Sequence, residues 1–153
     1  MNNENENRNR DRDNDRDRNR NKCENCIADI LKVILILQRS ANQADSCLDS
    51  CDRGFLGQQC CPTVCNTRPI QLFGCCAGGS AISMPISKSP TETVTSSIFR
   101  LEKLDECCAT CRVLTVNTDS NLATYTATNS FFTINLDCLC MIRCLDDTFV
   151  EGV

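Results

Sequence analysis

SIFRLEKLDECCATCRVLTV, residues 97–116, holds two short segments, Ile98–Leu104 and Cys111–Val116, with turn residues between them. Both are rich in branched and aromatic side chains and Thr, a composition that suits a pleated, half-buried surface. The same character returns in Ala123–Thr128 and Phe131–Leu136, again set apart by turn residues. These four segments predict strands. Pro69–Phe73 is a candidate for one more, and Cys138–Val150 reads either as a continuing strand or as a short helix. Phe99, Val113 and Leu114 are the expected strand core. Gly57 and Pro69 punctuate turns.

Upstream, the period changes. Ile27, Ile30, Leu31, Ile34 and Leu35 recur at helical spacing, with Asp29, Lys32 and Gln38 mostly opposite. Asn25 is placed to cap this helix. Val33 and Ile36 widen the apolar face beyond one stripe, so the helix is expected to be buried against the body of its own subunit or against another. Residues 1–22 differ again, ending in DRDNDRDRNRNK, with no apolar residue after Met1. Such a segment cannot offset its ordering entropy and reads as a disordered tail. Its seven basic and six acidic residues nearly cancel, which favours a solubilising role over an RNA-contacting arm. Residues 45–80 are dense in turn-formers and cysteine, and 83–97 are rich in Ser, Thr and Pro. The expected architecture is α+β and mainly β: a compact β domain behind one amphipathic helix, spanning 23–153 as a single domain.

Composition narrows the function. Histidine is absent, so no Ser–His or Cys–His nucleophile pair exists and the commonest general base is missing. The expectation is a protein that is not an enzyme and uses no cofactor. A net charge of −4 argues against a nucleic-acid partner. Ile27–Leu37 is interrupted by Asp29 and Lys32 and is shorter than the roughly 20 residues a membrane span needs. The polar N-terminus has no secretory signal pattern, which points to synthesis in a reducing cytosol.

Cysteine is the outlier, at 15 of 153 residues. A chain of this length buries a sizeable core without staples, so the surplus thiols need another purpose. They fall into clusters: Cys23 and Cys26; Cys47 and Cys51; Cys60, Cys61 and Cys65; Cys75 and Cys76; Cys107, Cys108 and Cys111; Cys138, Cys140 and Cys144. Adjacent cysteines fit a mutual bridge badly and so tend to bond two different partners. Each such pair is a potential branching point. The odd total leaves at least one thiol for another chain or free. Cross-linking is the leading reading for all of these clusters. Structural zinc is the rival, because Cys23/Cys26 and Cys108/Cys111 each have the spacing of half a site. Without histidine that site would be four cysteines, drawn from segments about 80 residues apart. Thioredoxin-like redox chemistry is weaker still, since neither pair sits in a βαβ setting.

A set of ordered motifs carries a more specific signal. Phe55-Leu56-Gly57 is followed by Asn66-Thr67-Arg68-Pro69, Ser97-Ile98-Phe99-Arg100 and Cys111-Arg112-Val113-Leu114. The series closes with Leu136-Asp137-Cys138-Leu139-Cys140-Met141-Ile142-Arg143-Cys144-Leu145-Asp146-Asp147. This order resembles the Bacillus-type spore coat proteins of the CotY/CotZ/ExsY family over roughly residues 26–150. The resemblance implies a structural protein of the spore crust or exosporium base layer. It implies self-assembly into hexagonally ordered, disulfide-reinforced sheets, with itself and other coat proteins as partners. It also implies synthesis in the mother-cell cytoplasm and deposition on the spore surface, where cross-links mature. The closing Cys138, Cys140 and Cys144 are then the foremost cross-linking candidates. Ala77–Thr95 matches the family poorly, and the paired cysteines near Cys60 and Cys75 are additional to its pattern. Arg68 and Arg100 are left open between subunit contacts and roles within the chain.

Overall fold

The structure, a computed structural model, describes residues 25–43, 65–76, 78–119, 121 and 123–153. The expected tail and the motif Phe55-Leu56-Gly57 lie outside them, as do Cys23, Cys47, Cys51, Cys60 and Cys61. Helix α1 (Cys26–Gln43) precedes strands β1 (Ile70–Gly74), β2 (Met84–Pro85), β3 (Thr95–Ser96), β4 (Ile98–Leu104), β5 (Cys108–Val116), β6 (Tyr125–Asn135) and β7 (Leu139–Cys144). The five longer strands form one antiparallel sheet in the order β6-β5-β4-β1-β7, and β2 pairs with β3. The chain is mainly β behind a single described helix, as the sequence predicts.

Helix α1 starts where expected. The Asn25 side-chain oxygen accepts from the Ile27 amide at 2.9 Å, satisfying one of the unpaired donors of the first turn. Its inward stripe is Ile27, Ala28, Leu31, Ile34 and Leu35, packed on Ile70, Leu72, Phe99, Leu101, Cys111 and Val113 of the sheet. Phe99 meets Phe132 edge-on at 4.7 Å. Two assignments on the helix are corrected. Ile30, expected inside, is 41% exposed, and Gln38, expected on the polar side, is buried. The reason is angular: Gln38 lies seven residues after Leu31 and so shares its face. The Gln38 amide donates to the Leu101 carbonyl at 2.8 Å and accepts from the Arg68 amide at 3.2 Å. A buried polar side chain is tolerated when so partnered.

In the sheet, Ile98–Leu104 forms as predicted, with Phe99, Val113 and Leu114 fully buried. Ala123–Thr128 and Phe131–Leu136 are not two strands; both belong to the single strand β6. The break expected at Asn129–Ser130 is absorbed by a register shift between Arg112 and Leu114. The Thr128 hydroxyl donates to the Val113 carbonyl, and the Ser130 hydroxyl to the Pro85 carbonyl, each at 2.7 Å. The closing segment resolves as strand, and the Ser/Thr/Pro-rich stretch contains the small β2–β3 pair. After β1, Gly78 and Gly79 take φ of 59° and 86°, a left-handed turn that side chains disfavour. The turn returns the chain so that Ile82 donates to the Leu72 carbonyl at 2.8 Å.

The sheet is strongly curled. Strands β6 and β7 are its two edges, yet only the 3₁₀ turn Leu136–Cys138 joins them. Edges of a flat five-stranded sheet stand about 19 Å apart. A three-residue 3₁₀ turn advances only about 6 Å. The edges therefore approach each other at this turn, with Leu136 fully buried beneath it.

Candidate cross-linking site

The Leu136–Cys138 turn is also where the cysteines gather. Asn135 caps it by accepting from the Asp137 amide at 2.9 Å. The Leu136 amide donates to the Cys107 carbonyl at 2.8 Å, and the Cys75 amide donates to the Cys138 carbonyl at 3.0 Å. The Asn25 side chain donates to the Leu136 carbonyl at 3.0 Å, which brings the first turn of α1 and Cys26 to the same place. Cys108 pairs in register with Asn135. Cys140 lies two residues beyond Cys138 and is bonded to Cys75, with a Cα separation of 5.0 Å across 65 residues. Seven of the ten described cysteines thus belong to segments meeting at one end of the sheet: Cys26, Cys75, Cys76, Cys107, Cys108, Cys138 and Cys140.

Within this pole the thiols point to different fates. Cys75 and Cys140 are joined inside the chain, while Cys76 remains an exposed free thiol. Adjacent cysteines with separate fates are what their short spacing favours. Cys26 and Cys138 are also exposed and free, and Cys107 and Cys108 are partly exposed. At the far end of β7, Cys144 stands opposite Ile70, and both Cys144 and Cys65 are exposed free thiols. The closing trio therefore splits: Cys140 is bridged within the chain, whereas Cys138, just ahead of β7, and Cys144, at its far end, are exposed free thiols.

Cys111 is different. It lies in the core opposite Phe132. Burial, reinforced by the negative charge of Glu102, pushes its thiol up to about 12 from 9.0. The thiolate is the reactive form, so Cys111 is expected to stay unmodified when the folded protein is treated with an alkylating reagent at pH 8. Mass spectrometry should find it labelled only after unfolding; labelling at the rate of Cys76 would refute its burial. The sign of the pH effect follows. The unfolded thiol ionises near 9.0 and the folded one does not, so this group's stabilising contribution declines as pH rises from about 9 toward 12.

The same placement corrects the zinc alternative at Cys108-Ala109-Thr110-Cys111. The pairing of residues 108–111 with 135–132 is unbroken, and strand side chains alternate faces. Cys108 and Cys111 thus lie on opposite sides of the sheet and cannot grip one ion. Among the described residues no group of three or more His, Cys, Asp or Glu side chains is arranged to hold a metal.

On the face of β4 and β5 turned away from α1, charged side chains are tied together. Glu102 accepts from Arg100 and from Arg112, each at 2.7 Å, and Arg100 also donates to the Thr67 hydroxyl at 3.0 Å. The Arg112 guanidinium stacks 4.6 Å from the Phe131 ring. Arg68 forms a two-pronged pair with Asp147 at 2.6 and 2.7 Å. That hydrogen bonding raises the Arg68 pKa and holds the Asp147 carboxyl below its usual value. Both arginines left open by the sequence are thus engaged within the chain.

A protein-family model of spore coat protein Z matches residues 14–127, about three quarters of the chain. The chain belongs to the spore coat protein Z family. No curated protein and no solved structure matches it significantly. The match starts inside the polar N-terminal segment and stops within β6. The closing cysteine motif, which the sequence reading weighted most, therefore lies beyond it. Membership makes the chain a structural component of the spore coat, at the spore surface and among other coat proteins. No helix among the described residues is long and apolar enough to cross a membrane. What the structure adds to this spore coat protein is the sorting of its ten described cysteines into one bridged pair, one buried thiol and seven exposed or partly exposed free thiols.

Proposed function

We propose that the chain is a self-assembling subunit of an outer spore layer, crust or exosporium base, whose hexamer-based sheets are hardened by disulfides between subunits. One observation carries this reading. The described fold rests on a continuous apolar core and a single internal bridge, yet leaves exposed or partly exposed free thiols at Cys26, Cys65, Cys76, Cys107, Cys108, Cys138 and Cys144. Thiols that the fold does not use are available to neighbours. Residues 23–153 act as the single assembling domain. With no histidine in the chain, the role is structural and not catalytic.

Non-covalent surfaces build the array first, and oxidation then makes release depend on chemical reduction instead of thermal opening. Electron microscopy of the recombinant chain, with electrophoresis of the same sample with and without reductant, tests this. Ordered sheets or rings are expected, with a covalent ladder that collapses to a 17.0 kDa band on reduction. A field of monomers and no ladder would sink the reading.

A further inference from the structure

The outward side of α1 is unlike that of an ordinary surface helix, which presents charged and polar groups to water. Ile30, Val33, Ile36 and Leu37 are 41%, 54%, 62% and 46% exposed. Cys26, Ile30, Val33, Leu37 and Ser40 follow one another at steps of four, three, four and three residues, the alternation of a coiled-coil seam. At 3.6 residues per turn they fall in a stripe about 80° wide. That stripe is separate from the one that Ile27, Leu31, Ile34, Leu35 and Gln38 bury against the sheet. The helix has two seams, and its own fold fills one.

A seam of this period takes another helix, whose side chains seat as knobs in the holes between its own. Among the described residues α1 is the only α-helix, and none of them supplies a second helix to fill the seam. A helix known to carry the matching alternation is α1 of a second copy. The four exposed apolar side chains offer on the order of 400 Å² per copy, comparable to the largest patch on a typical monomer. A pair would bury roughly 800 Å², short of the roughly 1,200 Å² of a stable specific interface. Such a contact needs reinforcement, and Cys26, exposed and unbridged, stands in the same stripe at its N-terminal end. In a parallel pair, equivalent seam positions face each other. Axes about 9–10 Å apart, each with Cα atoms on a 2.3 Å cylinder, leave about 5 Å between facing Cα atoms. That separation suits a disulfide.

We propose that α1 pairs in parallel with α1 of a second copy through Cys26, Ile30, Val33 and Leu37, and that Cys26 bonds to the partner subunit's Cys26. The proposal rests on the self-assembling reading and names one of its contacts. The oxidant is a small-molecule disulfide. The thiolate of one Cys26 attacks it, breaking its S–S bond and releasing one thiol. The partner subunit's Cys26 thiolate then displaces the second. One S–S bond forms and one breaks, two protons leave the cysteines for the released thiols, and two electrons reduce the oxidant.

The test uses the full chain keeping only Cys26, Cys75 and Cys140, with Cys111→Ala and every other cysteine changed to serine. Exposed to oxidised glutathione, it should run without reductant mainly as a covalent dimer of about twice 17.0 kDa. Adding Ile30→Asp and Val33→Asp should lower the dimer yield at least ~10-fold, because a charge in each layer opens the seam. A variant that is folded by circular dichroism yet stays monomeric overturns the pairing, as does an undiminished yield from the double-Asp variant. Peptide mapping of the oxidised native-cysteine chain gives a second reading that no substitution disturbs. A Cys26–Cys26 peptide supports the pairing. Sheets lacking that peptide overturn it while leaving the array intact, whereas Cys26-bridged dimers without sheets support the pairing and count against the array.

Discussion

Changing both Cys75 and Cys140 to serine is expected to lower the stability of the oxidised subunit by about 4 kcal/mol, the largest effect of any exposed cysteines. The bridge spans 65 residues, and in the chain-entropy account closing a loop of that length removes roughly this much freedom from the unfolded ensemble. Its native role is to tie the end of β1 to the start of β7 beside the register shift at Phe73/Gly74. Guanidinium unfolding of wild type and double variant, in a background that prevents chain-to-chain bridging, measures the difference. The double change is needed because a single one would release a new thiol for exchange. A loss within ~0.5 kcal/mol, the usual scatter of neutral surface changes, would mean that the bridge is absent from the oxidised protein. The free thiol at Cys76 makes the contrast clear: Cys76→Ser should leave subunit stability unchanged.

The second large effect is expected at Glu102. Its carboxylate sits between the guanidiniums of Arg100 and Arg112 at 2.7 Å from each, with Arg100 almost fully buried. Glu102→Gln removes the negative charge that compensates both. Leaving a buried charge unpaired costs about 3–5 kcal/mol; partial solvent access at Glu102 and Arg112 brings the expectation to ~3 kcal/mol by screening. For a domain of this size that is a fall in Tm of roughly 10 °C. Replacing all three residues by apolar ones of similar volume should be far milder than the single change, since a well-packed apolar cluster matches or exceeds a buried ion network. A Tm drop below ~2 °C for Glu102→Gln would show that water already solvates the cluster. Arg68 and Asp147 make a useful comparison. Their pair is equally short but half-exposed, so breaking it should cost no more than about 1 kcal/mol. That small contribution is present above the ordinary carboxylate range and lost as pH falls through the depressed pKa of Asp147.

How far the sequence was legible depends on the range of the interaction that decides each element. The cap at Asn25, the helix and the strand Ile98–Leu104 follow from neighbours three or four residues apart, or from local composition, and they stand as read. Gln38 and Ile30 were misplaced because α1 carries two apolar stripes, and periodicity alone does not say which one the sheet covers. Asn129–Ser130 looks like a turn in isolation. It is held in β6 by its neighbour Thr128, which donates to Val113, and by Ser130 itself, which donates to Pro85, partners 15 and 45 residues away in sequence. The cysteines show the same division. Their clustering is visible in the chain, but the partner of Cys75 lies beyond any local signal. The burial of Cys111 was legible only in part, through its position in a strand of apolar residues. That Cys108 and Cys111 lie on opposite faces follows from strand alternation, once the strand is known to begin at Cys108.

The pair of hydrogen bonds made by Gln38 has a mechanical meaning. One side-chain amide joins α1 to the Leu101 carbonyl of β4 and to the Arg68 backbone just ahead of β1. Sliding the helix by a single residue, about 1.5 Å, would strand a buried carbonyl and a partly buried amide together. A neighbour that pulls on α1 therefore loads the middle of the sheet directly, without first shearing helix from sheet. In the array proposed above, under tension as when a drying or swelling spore changes its circumference, this part of the subunit would act as a stiff tile, and the layer's compliance would reside in the joints between tiles.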